Sequence, residues 1–86
     1  MSKVEQASNY DIAIDIINLM KVMASNKKSK ASSPEEAEEL DREIDMYCYE
    51  ESVLNGRHGG EIARRSLYDK VFKLYSPVIK REYATV

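Results

Sequence analysis

Cysteine is nearly missing: Cys48 stands alone among 86 residues, which excludes an internal disulfide and a CxxC metal site. Tryptophan is absent, and there are only two prolines and three glycines. With 43% apolar residues beside them, so few breakers argue against a disordered chain. No run approaches the roughly 18 consecutive apolar residues of a membrane span. Met1-Ser2-Lys3-Val4-Glu5 lacks the charged-then-apolar order of a signal peptide; with one free thiol, this predicts a soluble cytoplasmic protein. Neither charge sign dominates, since 13 Lys+Arg face 15 Asp+Glu for a net −2. That balance gives no global case for nucleic-acid or membrane affinity. One domain is the most the length allows, and a chain this short buries only about 60% of its unfolded surface, so a lone copy is marginal.

What is present reads as helix throughout. The first segment, Asn9 to Ala24, opens on Ser8 or Asn9 as N-cap with Asp11 in the first turn. Asp11, Asp15 and Asn18 make one narrow polar stripe; Ile12, Ala13, Ile14, Ile16, Ile17, Leu19, Met20, Val22 and Met23 fill the rest. A helix apolar nearly all round must be covered on most sides. Ser25 to Ser33 reads as a polar, basic, mobile connector. Ser33-Pro34-Glu35-Glu36 is then a capping box with proline at the first helical position. It opens a second helix to about Leu54, with an apolar line through Ala37, Leu40, Ile44, Tyr47, Cys48 and Leu54. Gly56 suits a left-handed helix end. A third helix runs from Gly60 or Glu61 to Tyr75, lined by Ile62, Ala63, Leu67, Val71, Leu74 and Tyr75. Ser76-Pro77 stops it and caps a last short turn. The predicted fold is all-α: a compact single-domain bundle of three main helices with a short C-terminal helix. The oily first helix predicts assembly as a homo-oligomer, because one small domain offers it too few partners.

Charge is segregated. Residues 1–33 carry five basic and three acidic groups; residues 34–56 carry one and nine; residues 57–86 carry seven and three. Enzymatic groups are not evident. On its apolar line Cys48 reads as a small buried hydrophobe, His58 as a turn residue with no second His or Cys to share a metal, and the carboxylates of the second helix as a solvated face. No catalytic residue, metal or cofactor is expected. Binding groups are better represented. Tyr10, the first aromatic in the chain, either caps the core or offers a base a stacking platform, worth about 1–3 kcal/mol per base. Lys27, Lys28, Ser29 and Lys30 are either a solvated connector or a phosphate clamp. Arg64 and Arg65 either pair with the acidic second helix or present a planar fork to phosphate or a base face. Asn9 and Asn26 are candidates to hydrogen-bond base or ribose edges. A symmetric interface carrying Tyr, Lys and Arg suits a ligand that is itself two-fold or three-fold symmetric.

In length, helical order and overall character, across most of the chain, the sequence resembles the phage anti-CBASS cyclic-nucleotide sponge family. The matching residues are Tyr10 near the start of the first helix, the Lys27-Lys28-Ser29 run after it, and Arg64 or Arg65 in the last long helix. The resemblance implies a short all-helical protein of T4-like phages that assembles as a hexamer. It would sequester cyclic oligonucleotide messengers of a bacterial defence system, such as cGAMP, without cleaving them. It also implies that the Tyr and a Lys serve cyclic dinucleotides at pockets shared between subunits. The hydroxyl residue and an Arg would serve cyclic trinucleotides at separate sites. Which lysine and which arginine touch phosphate stays open.

Two other readings compete. A small acidic inhibitor of a host nucleic-acid-binding enzyme would present residues 35–51 to a basic groove. A helix-turn-helix DNA binder would use the turn at 55–60 with Arg64 and Arg65. The sequence pI of about 5.4 weighs against the latter, since nucleic-acid affinity rests on cationic contacts.

Overall fold

The computed structural model describes the backbone of residues 2–83 and the side chains of residues 10–83. Among the described residues every regular element is helical: α1 (Ser2–Ser29), α2 (Pro34–Leu54), α3 (Gly60–Lys70), a π-helical stretch (Val71–Tyr75) and α4 (Ser76–Tyr83). The backbone stays helical at Val71 (φ −58°, ψ −46°) and at Ser76 (φ −57°, ψ −44°). The last three segments are therefore one rod, and the described residues form three helices.

α1 is longer than predicted at both ends. Ser25 to Ser29 continue the helix, so Lys27 and Lys28 stand in its last turn and only residues 30–33 connect it to α2. Lysine is a good helix former, and its charge suits the negative helix end. The Lys30 and Ala31 N–H groups close that end on the carbonyls of Lys27 and Lys28, both at 3.1 Å. So short a connection makes α1 and α2 an antiparallel hairpin, tied by Lys28–Asp41 at 2.6 Å near the turn and Lys21–Glu51 at 2.5 Å further along.

The start of α2 shows half of the predicted capping box, with the Glu36 side chain reaching one residue past the cap. Glu36 N–H donates to the Ser33 hydroxyl at 3.2 Å, and the Glu36 carboxylate accepts from Ser32 N–H at 2.9 Å. The end of α2 is a Schellman turn: Gly56 N–H bonds Val53 C=O and Arg57 N–H bonds Ser52 C=O, both at 3.0 Å, with Gly56 at φ +82°.

The third rod passes the predicted stop. Proline inside a helix lacks an N–H, and its ring crowds the carbonyl four residues back, here Lys73. The π stretch ends at Tyr75, two residues before Pro77, and Ser76 N–H bonds Val71 C=O, five residues back. That wider turn relieves the crowding, so the helix runs on to Tyr83.

The core is Ala13, Ile16, Ile17 and Ala24 of α1, Leu40, Tyr47, Val53 and Leu54 of α2, and Leu67, Val71 and Tyr75 of the third rod. Several predicted core positions lie outside it. Cys48 is exposed, because the buried line steps through 40, 47, 50 and 54 and position 48 stands about 100° round from Tyr47. Ile62 and Leu74 are also exposed, on the flank of the Leu67–Val71 line. α1 is not covered on most sides within one chain: Ile12 and Val22 stay about half exposed, at 47% and 49%. The molecule measures 48 × 31 × 16 Å, and its thin dimension is two helix layers. Every helix therefore keeps an open flank.

Candidate functional site

The site grows from the open end of the hairpin, where α1 extends past the end of α2 and meets the start of α3. Tyr10 is half-buried there. The Arg64 guanidinium lies over its ring, 4.0 Å from the centroid. Tyr68 meets the ring edge-on, with centroids 5.5 Å apart and planes at 74°. The Tyr10 hydroxyl points to Glu61 Oε2 at 3.4 Å. Arg64 is held from behind: its Nε donates to the Leu54 carbonyl at 2.8 Å, and Nη1 lies 3.9 Å from Glu61 Oε1. A cation over an aromatic face is worth about 0.5–1 kcal/mol when exposed and more when desolvated. The result is a stacked Tyr–Arg pair, buttressed by Tyr68 and edged by a carboxylate.

Tyr10 and Arg64, one of the two arginines that the resemblance offers for the other kind of site, are thus neighbours. Glu61, Tyr68 and Phe72 belong to the same group but escaped the sequence reading. Their signal was spacing. Glu61, Arg64, Tyr68 and Phe72 follow one another at three- and four-residue steps, so they share one flank of the rod, and the Tyr68 and Phe72 rings sit 4.8 Å apart.

The remaining candidates do not join them. Arg65 is exposed and has no ion pair among the described residues. The Asn9 side chain lies outside the described residues. Asn26, Lys27, Lys28 and Ser29 are seventeen or so residues down α1, about 25 Å from Tyr10 at 1.5 Å per residue. They are exposed on helix, not in a mobile connector. Lys28 is engaged with Asp41, and the Ser29 hydroxyl donates to the Asn26 carbonyl at 2.8 Å. Lys27 and Lys30 border an open pocket of about 360 Å³ that is also lined by Leu40, Glu36, Glu39 and Glu43. Three carboxylates against two ammonium groups give that pocket no excess of positive charge for a phosphate.

A second polar cluster, unforeseen from the sequence, ties α2 to the third rod. Glu50 is buried, with Oε1 accepting from the Tyr75 hydroxyl at 2.8 Å and Oε2 from Lys70 Nζ at 2.6 Å. Tyr47 packs edge-on to Tyr75 at 5.5 Å. An α-helix places residues five apart about 140° round from each other; the π stretch brings Lys70 and Tyr75 to one side. Burial, then the hydrogen bond to Glu50, pushes the Tyr75 hydroxyl up to about 12. The hydrogen bond to Glu50 outweighs burial and holds Lys70 above its ordinary value. Burial, reinforced by Glu43 and Glu50, raises Tyr47. These shifts keep Tyr47 and Tyr75 neutral and Lys70 charged at neutral pH. The cluster is thus cement between α2 and the third rod.

Among the described residues no three potential ligand side chains gather for a metal ion, and no helix is long and apolar enough to cross a membrane. Compared with known proteins, the chain matches no family model, no curated protein and no solved structure.

Proposed function

We propose that the chain is a non-enzymatic binder that traps cyclic oligonucleotides within a homo-oligomer. The observation that carries this is the Tyr10 ring under the Arg64 guanidinium, 4.0 Å apart. It is a stack of the kind that accepts a nucleobase without regard to the rest of the ligand. The likeness to phage sponges of cyclic di- and trinucleotides supports the same ligand class and, by extension, a hexamer working in the host cytoplasm with neither DNA nor membrane as partner.

The 25 Å between Tyr10 and the lysines gives the oligomer its purpose. One cyclic dinucleotide does not reach both ends of α1. Two copies of α1 packed antiparallel, with Ile12 of one against Val22 of the other, cover the apolar flank left open at those residues. A base held by one copy and a phosphate held by the other is the arrangement proposed for Tyr10, Lys27 and Lys28, with Asn26 at the ribose or base edge. Ser29 and Arg65 remain candidates for a second phosphate site.

The test is a thermal melt with and without micromolar cyclic dinucleotide. A ligand that binds only the native state raises the melting temperature by mass action. Tyr10→Ala should abolish the shift while leaving helical circular dichroism intact. No shift with any cyclic di- or trinucleotide refutes the proposal.

One observation favours the acidic-inhibitor alternative. Glu35, Glu38, Glu39, Glu43 and Asp45 are exposed and have no cation partner among the described residues. Charge reversal at these five positions should spare nucleotide binding under the first proposal and destroy partner binding under the second.

A further inference from the structure

Resting on the nucleotide-binding proposal, we infer that Glu61 makes the Tyr10–Arg64 platform selective for guanine over adenine. The Glu61 side chain is 67% exposed at the rim of the stack. Its two intramolecular contacts are long, 3.4 Å from Oε2 to the Tyr10 hydroxyl and 3.9 Å from Oε1 to Arg64 Nη1. An ionised carboxylate has about four acceptor sites, so both oxygens keep capacity for donors from a ligand. A base stacked on this platform brings its edge to that carboxylate.

The chemistry of the edge decides which base. Guanine presents N1–H and the N2 amino group side by side, two donors that match two carboxylate oxygens in one plane. Adenine presents an N6 donor beside the N1 lone pair, which faces a carboxylate oxygen with repulsion. Charge-assisted, paired hydrogen bonds are the strong kind. A bidentate pair of this type discriminates between bases by about tenfold to a hundredfold.

The same carboxylate reassigns Arg64. Its Nε is committed to the Leu54 carbonyl at 2.8 Å, and a negative charge flanks its Nη1. Both disfavour an incoming phosphate at that spot. Arg64 acts as a stacking plane, and phosphate contacts fall to Lys27, Lys28 or Arg65.

Isothermal titration of the full chain with cyclic di-GMP and cyclic di-AMP, before and after Glu61→Gln, tests this. The expected result is a preference for cyclic di-GMP of about tenfold or more in the wild type. In Glu61→Gln, which offers one acceptor and one donor suited to adenine, that preference should vanish or invert. Cyclic di-AMP should still bind the variant, which also shows that the fold and platform survive. Equal binding of the two ligands by the wild type, or a preference untouched by Glu61→Gln, overturns the inference and leaves the nucleotide-binding proposal standing. Binding of neither ligand overturns the inference, and the nucleotide-binding proposal falls with it only if cGAMP and cyclic trinucleotides are left unbound as well.

Discussion

The Glu50–Tyr75–Lys70 cluster permits a quantitative test of how the third rod is held. Tyr75→Phe removes one hydroxyl and keeps the ring, so the edge-on contact with Tyr47 at 5.5 Å persists. What disappears is a 2.8 Å hydrogen bond to a buried carboxylate that is also paired with the Lys70 ammonium. Bonds to charged groups contribute about 1.5–3 kcal/mol. At roughly 4–8 °C per kcal/mol for a domain of this size, a loss near the middle of that range lowers the melting temperature by about 8–16 °C. Glu50→Leu has a different cost. It removes the desolvation penalty of the carboxylate but strands the Tyr75 hydroxyl in the core, about 1–3 kcal/mol. Lys70, with its side chain 38% exposed, turns to water at little expense. When both changes are combined, the stranded hydroxyl is gone and so is the under-bonded carboxylate. The double variant should therefore lose less than the two single losses together, by about 1–2 kcal/mol. Urea denaturation followed by circular dichroism measures all four proteins, and an unchanged denaturant slope confirms a common unfolded state. Additivity within about 0.5 kcal/mol, or a Tyr75→Phe variant as stable as the parent, would refute the role given to this network.

Alkaline pH attacks the same cluster. Tyr75 is raised to about 12, and Lys70 and Tyr47 are raised as well. Groups with elevated folded values stabilise fully below their unfolded values, near 10 for tyrosine and 10.4 for lysine, and lose that contribution as pH climbs through the folded ones. The melting temperature should fall between about pH 10 and pH 12, and Tyr75→Phe should flatten that fall. Gly59→Ala should cost more than Gly56→Ala. Both positions hold φ above +80°, but an added Cβ at Gly59 comes within 2.8 Å of Ala63 Cβ, whereas at Gly56 it meets nothing within 4 Å. Left-handed strain alone is about 1–2 kcal/mol; equal denaturation midpoints for the two variants would argue against the clash. Ser33→Ala should lose about 1 kcal/mol through the cap of α2, visible as a lower urea midpoint.

The helical class was legible because its signals were local. Ser33, Pro34 and Glu36 name the start of α2 by side-chain chemistry alone, and Gly56 names its end. The boundary of α1 was harder, since Ser25 to Ser29 are polar enough to look like a connector, yet nothing in them breaks a helix. Pro77 misled for a specific reason. Its effect depends on the turn before it, and a π turn has no clear mark in the sequence. The same turn hid the Lys70–Tyr75 pairing, which five-residue spacing forbids in an α-helix. Glu50 was readable in principle, lying three after Tyr47 and four before Leu54 on the buried line, but eight other carboxylates in residues 34–56 masked it. In the candidate site, Tyr10 and Arg64 were named singly. Their contact is a matter of how α3 crosses α1, which periodicity does not encode.

The two ends of α1 are chemically unlike, and the difference bears on what the proposed assembly must accomplish. At Tyr10 the chain offers flat faces and a carboxylate, suited to a base and hostile to phosphate. At Lys27 and Lys28 it offers cations, but Lys28 already has Asp41 at 2.6 Å and Lys27 borders the pocket with three glutamates. Under the proposed function, an isolated copy therefore holds only a base site at one end and, at the other, lysines that are already partly neutralised. Assembly then brings the base site of one copy to the lysines of another, and the apolar flank at Ile12 and Val22 is where copies would meet. It follows that disrupting the pairing, for instance by Val22→Glu, should abolish dinucleotide binding with Tyr10, Arg64 and Glu61 all intact. Light scattering would report the smaller particle and titration the lost ligand. A Val22→Glu protein that stays assembled and empty, or falls to monomers that still bind, would break the link between assembly and site.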